Sequence, residues 1–253
     1  MRCIPKGVHR TGTWPAATVA AMERMRRIGL IGGLAWPSTE IYHRLINEDV
    51  ARRLGGSHSA RLVIWSEDFE RIAALQRAGA WAESGAILAD GARALERAGA
   101  DLVAITANTM HLVADDVRAA VGIPLVHLIE VVVDAAVDAG LHRLGLLGTS
   151  YTMTSSVYPD VCGPRGLEVL IPDEADRDDV HHAIYSDLTR GTATPTSKYA
   201  VRSAADRLVA AGADAVVLGC SELGLVLAPG DLPVPVLDST ALHCRALVDA
   251  ALA

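Results

Sequence analysis

Arg27-Ile-Gly-Leu-Ile-Gly32 has a near copy later in the chain, Arg143-Leu-Gly-Leu-Leu-Gly148. Each stretch is an apolar run of strand length that ends in glycine. Two further pairs recur in the same order: Ala98-Gly-Ala-Asp101 with Ala211-Gly-Ala-Asp214, and Ile123-Pro-Leu-Val126 with Val234-Pro-Val-Leu237. Three ordered matches at similar offsets indicate one α/β unit present in two copies. A common helix-to-strand turn would explain the Ala-Gly-Ala-Asp match alone, but not all three.

Apolar runs of strand length alternate with Ala-, Arg- and Leu-rich segments of helical period along the whole chain. This alternation is typical of a mainly parallel sheet flanked by helices. The fold class is therefore predicted as α/β, with two pseudo-symmetric lobes and an active-site cleft between them, at the carboxyl ends of the strands. The predicted strands cover residues 27–31, 62–66, 102–106, 125–127, 143–147, 168–171, 215–219 and 234–237.

The lobe boundaries follow from the repeat. We expect lobe 1 over residues 25–128, with the C-terminal helix 239–253 packed on it, and lobe 2 over residues 129–238. Residues 1–24 lack the apolar core of a signal peptide, so they are predicted to be a tail. Met25 directly precedes the first strand and is an alternative start.

Composition excludes several classes of partner. With 253 residues, of which 51% are hydrophobic, the chain is long enough to bury a sizeable core. A net charge of -7 without a basic stripe argues against nucleic-acid binding. The apolar runs are shorter than the roughly 20 residues of a membrane helix. We therefore expect a soluble, cytoplasmic enzyme that contacts no nucleic acid and no membrane.

Cysteine and lysine usage bears on cofactors. The four cysteines form neither a CxxC pair nor a disulfide framework, so no metal site is predicted. Lys6 and Lys198 are the only lysines, and neither lies in a context typical of a shielded Schiff-base pocket. An amino-acid enzyme with this sequence is expected to need no cofactor.

Two triplets follow equivalent strands of the two lobes. Superimposing the Ala-Gly-Ala-Asp turns aligns Ala107-Asn-Thr109 with Cys220-Ser-Glu222, and both triplets should face the cleft. A thiol ahead of a helix start can have its thiolate stabilised by backbone amides and the helix dipole. Cys220 is therefore predicted to be the main acid/base; the alternative is an inert, packed thiol.

Five motifs in order resemble those of the aspartate/glutamate (Asp/Glu/hydantoin) racemase family, and most closely its L-aspartate/glutamate-specific branch. They are Gly32-Gly-Leu-Ala-Trp-Pro-Ser-Thr39, Ala107-Asn-Thr-Met-His111, Gly148-Thr-Ser-Tyr-Thr-Met153, Gly219-Cys-Ser-Glu-Leu-Gly224 and Leu237-Asp-Ser-Thr-Ala-Leu-His243. The resemblance implies a homodimeric, cofactor-independent isomerase that acts on a small carboxylate, an acidic or related amino acid. It also implies proton transfer at the α-carbon by one acid/base from each lobe, on opposite faces of the substrate.

Ala107 departs from that pattern. It stands where the family has its first cysteine, or threonine in the close branch, and alanine carries no proton. Thr106 is a poor replacement because successive strand side chains point to opposite faces; Thr109 and His111 are nearer candidates. Two alternatives stay open: a one-base decarboxylase, lyase or isomerase, similar to arylmalonate decarboxylases in keeping only the later cysteine, and a non-catalytic carboxylate-binding protein.

The remaining candidates concern substrate binding. Asn108, Thr109, Ser221 and Glu222 are predicted to hold the α-carboxylate and amino group, against simple helix capping. Thr149, which matches Gly33 in the other lobe, is a further donor. Trp36 and Ala35 are predicted to wall the pocket. Supporting positions behind the pocket are predicted for three residues: His111, Asp238 and His243.

Residues near position 179 bear on the end of the substrate that lies farthest from the α-carbon. Family members often carry a basic residue near position 179, whereas this chain has Asp178, Asp179, His181 and His182 there. An acid would repel a second carboxylate. An altered substrate is therefore one interpretation; a solvated helix start is the other.

Overall fold

The two repeated stretches form the central strands of two separate parallel sheets. In a computed structural model of the chain, which describes residues 25–253, the sheet orders are β2-β1-β3 and β5-β4-β6-β7, and every pairing is parallel. The predicted α/β class with two sheets is confirmed. The strands are β1 (Ile28–Gly32), β2 (Leu62–Ser66), β3 (Leu102–Ile105), β4 (Arg143–Gly148), β5 (Glu168–Leu170), β6 (Ala215–Gly219) and β7 (Val236–Asp238).

Helices connect the strands and cover the sheets. Several start at a side chain that accepts a backbone N–H bond, as Asp68, Asp173 and Thr194 do. The α-helices are α1 (Trp36–Leu54), α2 (Phe69–Ala78), α3 (Trp81–Arg97), α4 (Ala114–Ala120), α5 (Leu128–Asp138), α6 (Ser150–Thr154), α7 (Pro159–Cys162), α8 (Glu174–Ser186), α9 (Pro195–Ala210) and α10 (Ser239–Leu252). Short 3-10 turns cover Thr109–Val113, Gly163–Arg165, Leu188–Arg190 and Ser221–Leu225.

Two predicted strands differ from those observed by more than one residue at an end; the others agree to within one residue. The strand predicted over residues 125–127 is a single parallel bridge between Leu125 and Val103. It ends there because the His127 side chain accepts a hydrogen bond from the Glu130 N–H and caps α5. The last strand starts at Val236 rather than at residue 234. The predicted tail of residues 1–24, with Lys6, lies outside the described residues, of which Met25 is the first.

The repeated arginine and aspartate make the same contacts in both lobes. The Arg27 N–H donates to Asp101 Oδ2 at 2.6 Å, and its guanidinium donates to the carbonyl oxygen of the turn glycine at 3.0 Å. The Arg143 N–H donates to Asp214 Oδ1 at 3.1 Å, and its guanidinium again donates to the turn glycine, at 3.1 Å. Each pair thus ties the end of a helix to the start of a central strand.

The apolar cores hold the helices against the sheets. A side chain at Gly29 would place its Cβ only 3.2 Å from Leu95 of α3, and one at Gly145 only 3.1 Å from Leu208 of α9, so the helices pack closely on both central strands. The face of α10 that carries Cys244 and Leu247 joins a core on the first sheet, whereas α5 packs into the core of the second. Within residues 25–253, no helix combines the length and apolarity needed to cross a bilayer.

The hydrogen bonds of Asp101 and Asp214 at the starts of β1 and β4 give a stability prediction. Asp101→Ala and Asp214→Ala each remove acceptors for main-chain N–H groups, so each should lower the free energy of unfolding by about 1 kcal/mol. Urea denaturation followed by circular dichroism measures the loss. Asp138→Ala, at an exposed position near the end of α5, is the control. Equal stability of all three variants would show that these hydrogen bonds contribute nothing to the free energy of unfolding.

Candidate active site

Loops from the carboxyl ends of both sheets surround a cavity with about 540 Å³ of empty space, its open mouth included. Ala35 lines it after β1, Ala107 after β3, Thr149 after β4 and Cys220 after β6. Parallel strands direct their carboxyl ends to the same edge of a sheet, which is where ligands bind in such folds. The two triplets that the sequence alignment paired therefore both reach this cavity.

A buried carboxylate organises the Cys220 side of the cavity. Glu222 is 2% exposed. The Cys220 Sγ–H donates to its Oε2 at 2.9 Å, and the Ser221 hydroxyl donates to the same oxygen at 2.8 Å. The Ser38 hydroxyl, from α1 in the other lobe, donates to Oε1 at 2.7 Å. The carboxylate is thus held by one thiol and two hydroxyl groups.

The protonation of Cys220 differs from the sequence-based expectation. Burial and, next, the negative charge of Glu222 raise the pKa of the Cys220 thiol well above its usual value. The hydrogen bond from the Glu222 backbone amide lowers the pKa, as predicted for a thiol at a helix start, but it is outweighed. Cys220 therefore rests as a neutral thiol at neutral pH, the form that donates a proton.

Ala107 faces the cavity without a reactive group, and the neighbouring hydroxyl groups are already engaged. The Thr106 hydroxyl lines the cavity but donates to the Ile31 carbonyl oxygen at 3.0 Å. The Thr109 hydroxyl lies 3.0 Å from that of Thr149 and 2.8 Å from that of Thr152. These contacts join the two lobes, and they leave no group with a pKa near neutrality at this wall.

Asn108 also bridges the lobes. Its side chain is buried; Nδ2 donates to the Ser239 hydroxyl at 3.0 Å and Oδ1 accepts from the Tyr158 hydroxyl at 2.7 Å. Because an amide nitrogen carries two hydrogens, one remains for a ligand. Asn108 thus fixes the loop after β3 while still lining the cavity.

His111 lies behind the cavity wall rather than in it. Its Nε2 accepts from the Leu128 N–H at 3.1 Å, so Nδ1 carries the hydrogen and donates to the Ala107 carbonyl oxygen at 2.9 Å. Burial lowers the pKa of His111 to about 3. His111 is therefore neutral and positions the Ala107 backbone.

His243 also lies behind the cavity wall, where it supports the lining residue Tyr42. Its Nε2 donates to the Val126 carbonyl oxygen at 2.9 Å, so its Nδ1 accepts from the Tyr42 hydroxyl at 2.8 Å. Tyr42 lines the cavity, and burial raises its pKa well above the usual value. Asp238, predicted beside His243, caps α10 by accepting the Thr240 and Ala241 N–H groups.

Trp36 does not wall the pocket as predicted, because its side chain is 70% exposed on the first turn of α1. Ala35 does line the cavity. Its φ is +94°, which makes it the one residue other than glycine with positive φ between residues 25 and 253. This strained turn directs Ser38, one helical turn later, toward Glu222.

The acidic segment of α8 lies away from the cavity. Asp178, Asp179 and His182 are exposed, and His181 accepts the Ser150 N–H at 3.1 Å. The solvated-helix interpretation fits the two aspartates. Further along α8, Ile184 and Tyr185 reach the cavity instead.

Several lining residues were missed from the sequence. Ser38 and Tyr42 come from α1, Phe69 and Gln76 from α2, and Met110 from the turn after β3. Ser38 and Met110 lay within the quoted motifs, and Phe69 directly follows the loop after β2, which were usable signals. No group of three or more His, Cys, Asp or Glu side chains in the described part is arranged to hold a metal ion.

Comparison with known proteins identifies the family. The sequence model described as Asp/Glu/hydantoin racemase matches residues 31–247, most of the chain. The chain belongs to this family. The chain is also similar to the broad specificity amino-acid racemase RacX of Bacillus subtilis, to which it is 26% identical over 167 residues that cover 65% of this chain and 70% of that protein. The predicted family and the isomerase class are thereby confirmed.

Solved structures of racemase-family proteins have the same fold. A candidate Asp/Glu racemase from Yersinia pestis is 40% identical, with a TM-score of 0.84, covering 90% of this chain and 100% of that one. An aspartate racemase homologue from Pyrococcus horikoshii is 35% identical, with a TM-score of 0.77, covering 90% and 99%. The similarity therefore extends over both lobes.

The Cys220 environment predicts a charge-dependent reactivity. Glu222→Gln removes the negative charge beside Sγ, so the pKa of the thiol should fall, and alkylation of Cys220 by iodoacetamide at pH 8 should accelerate by roughly tenfold. Peptide mass spectrometry reads the modification at Cys220. Glu83→Gln, at an exposed position on α3, is the control. An unchanged or slower rate would contradict the assigned effect of Glu222.

The buried histidines predict acid sensitivity. Burial lowers the pKa of His111 and His243 to about 3 and that of His127 to about 4, whereas unfolded histidine titrates near 6.5. The unfolded chain binds more protons in that window, so stability is lost as pH falls below 6.5, by roughly 2 kcal/mol per histidine at pH 5. Urea denaturation at pH 7 and pH 5 measures this loss.

A variant that keeps the helix cap separates titration from packing. His127→Asn retains an N-cap for α5 and should reduce the difference in stability between pH 7 and pH 5. His43→Asn, at an exposed position of α1, is the control. Equal stability of the unmodified protein at both pH values would refute the prediction.

Proposed function

We propose that this protein is a cofactor-independent amino-acid isomerase in which Cys220 carries the proton to and from the α-carbon of the substrate. The supporting observation is the Cys220 thiol on the cavity wall, hydrogen-bonded at 2.9 Å to the buried Glu222, in a chain of the racemase family. A homodimeric, cytoplasmic enzyme is part of the proposal.

The proton transfer needs the thiolate first. The nearest acceptor for the S–H proton is the Glu222 carboxylate, to which the thiol already donates. The thiolate then takes the α-proton, and the electron pair of the broken C–H bond passes into the substrate carboxylate as an enolate. Return of a proton from the thiol completes the exchange. Since the neutral thiol is the resting form, Cys220 is suited to the donating step.

The substrate's α-carboxylate and amino group fit the polar side of the cavity. The remaining N–H of Asn108 is a donor for a carboxylate that gains enolate charge. The hydroxyl groups of Thr109, Thr149 and Ser221 become further donors where the substrate replaces their present protein acceptors. Glu222 is an acceptor for the ammonium group, first as the carboxylate and, after it takes the S–H proton, through its unprotonated oxygen. These roles follow from the chemistry of the lining and are part of the proposal.

The opposite face of the substrate distinguishes this enzyme from a two-base racemase. Ala107 stands at the position equivalent to Cys220, and the lining hydroxyl groups near it bond to protein atoms. A proton removed and returned by one thiol restores the starting configuration, so α-proton exchange should be faster than inversion. The same observation favours a second candidate, a one-base decarboxylase or lyase.

Proton exchange tests the role of Cys220. Proton NMR in deuterium oxide should show loss of the α-proton signal for an amino-acid substrate, and Cys220→Ala should slow this exchange by roughly 100-fold or more. Cys162→Ala, which removes a buried thiol outside the cavity lining, is the control. Exchange that persists in the Cys220→Ala variant would remove the thiol from the mechanism.

Placing a thiol at position 107 tests whether the site lacks a second acid/base. Ala107→Cys should raise the inversion rate, measured by circular dichroism of the amino acid, by at least about tenfold, with little change in exchange. Ala139→Cys, at the exposed end of α5, is the control. Release of CO₂ from a dicarboxylic acid would assign the decarboxylase instead, and binding without exchange would assign a carboxylate-binding protein.

A further inference from the structure

We propose that the side chain of the substrate is uncharged and apolar, so that the enzyme acts on aliphatic or aromatic amino acids rather than on aspartate or glutamate. This inference rests on the proposed function for the reacting end of the substrate. It concerns the part of the cavity lined by Phe69, Tyr185 and their apolar neighbours, where we place the side chain of a bound amino acid.

The charges around the cavity do not suit a second carboxylate. Glu222 is the one charged residue of the described lining, and neither lysine, arginine nor histidine is part of it. Lys198, the lysine within the described residues, is exposed on α9. A distal carboxylate would therefore lose water next to a buried anion and gain no cation from the lining, an unfavourable exchange. Arg77, whose charge acts on Tyr185, is outside the lining and is paired with Glu70 at 2.6 Å.

The part of the cavity wall that Phe69 and Tyr185 form is apolar and comes from both lobes. Phe69 on α2 and Tyr185 on α8 stack with ring centroids 6.3 Å apart and an interplanar angle of 24°. Leu34, Met110 and Ile184 complete this wall. Aromatic and aliphatic surfaces of this kind favour an apolar group that leaves water.

The polar atoms in this wall bond to one another. The Tyr185 hydroxyl donates to Gln76 Oε1 at 3.2 Å, and Gln76 Nε2 donates to the Met110 sulfur at 3.2 Å. Gln76 is only 5% exposed. The wall therefore presents mainly rings and methyl groups to the cavity. Its remaining polar groups are the second amide hydrogen of Gln76 and the hydroxyl group of Thr189, which donates to the Tyr185 carbonyl oxygen at 3.2 Å.

The acidic residues of α8 were expected to repel a second carboxylate. In the structure, other residues of this helix face the cavity. Its aspartates Asp178 and Asp179 are exposed and lie off the cavity. One to two turns later the same helix places Ile184 and Tyr185 in the lining.

A substrate panel tests the proposal with the unmodified protein. α-Proton exchange in deuterium oxide is measured for leucine, methionine, phenylalanine, aspartate, glutamate and lysine. We expect kcat/KM for the best apolar amino acid to exceed that for aspartate and glutamate by at least about tenfold. Faster exchange of aspartate, glutamate or lysine than of every apolar amino acid would overturn the inference.

A matched pair of variants tests the wall itself. Tyr185→Arg introduces a cation that can stack on Phe69, so the preference should shift toward aspartate and glutamate by at least about tenfold. Tyr199→Arg makes the same change on α9, where the tyrosine is 74% exposed, and should leave the preference unchanged. The same shift in both variants would contradict a role for the wall.

Binding separates this inference from the proposed function. Isothermal titration of the Cys220→Ala variant with the same amino acids measures affinity without the thiol. Tighter binding of apolar amino acids without any exchange in the unmodified protein would sink the isomerase proposal and keep the side-chain preference. Exchange confined to acidic amino acids would do the reverse, and an absence of binding by apolar amino acids would also overturn the preference.

Discussion

The burial of one carboxylate, Glu222, constrains the whole candidate site. In the described part of the chain no cation pairs with it, and its hydrogen-bond donors are the hydroxyl groups of Ser38 and Ser221 and the thiol of Cys220. A buried anion that lost these donors would be strongly destabilising. The requirement for donors therefore brings α1 of one lobe against the loop after β6 of the other. It also fixes the direction of the S–H bond and keeps the thiol protonated.

The duplicated framework explains why the reactive groups are so unequal on the two sides. In each lobe an arginine and an aspartate fasten the start of the central strand, and a glycine lets a helix approach it closely. The strand ends are therefore delivered to the cavity in the same way in both copies. Ala107 and Cys220 occupy equivalent places on this framework, as do Thr109 and Glu222. The asymmetry of the site therefore arises from these side chains and not from the fold.

The sequence predicted those features that depend on interactions between residues close together in the chain. Apolar runs and the repeat predicted both sheets, and the alignment of the turns brought Ala107 and Cys220 to the same cavity. It was less informative where tertiary packing decides. Helix orientation put Phe69 and Tyr185 in the wall and left Trp36 exposed, and neither result follows from periodicity. The pKa of Cys220 was misjudged because it depends on burial and on where the Glu222 carboxylate lies, whereas the helix-start argument considered the backbone alone.

The backbone at Ala35 adds a consequence for ligand entry. A residue with a side chain holds a φ of +94° only because surrounding contacts impose it, at a cost of order 1–3 kcal/mol. If an incoming molecule displaces Ser38 from Glu222, the turn is free to relax and that free energy is recovered. Stored strain then offsets part of the work of rearranging this edge of the cavity, so an induced adjustment on binding is easier here than at an unstrained helix start.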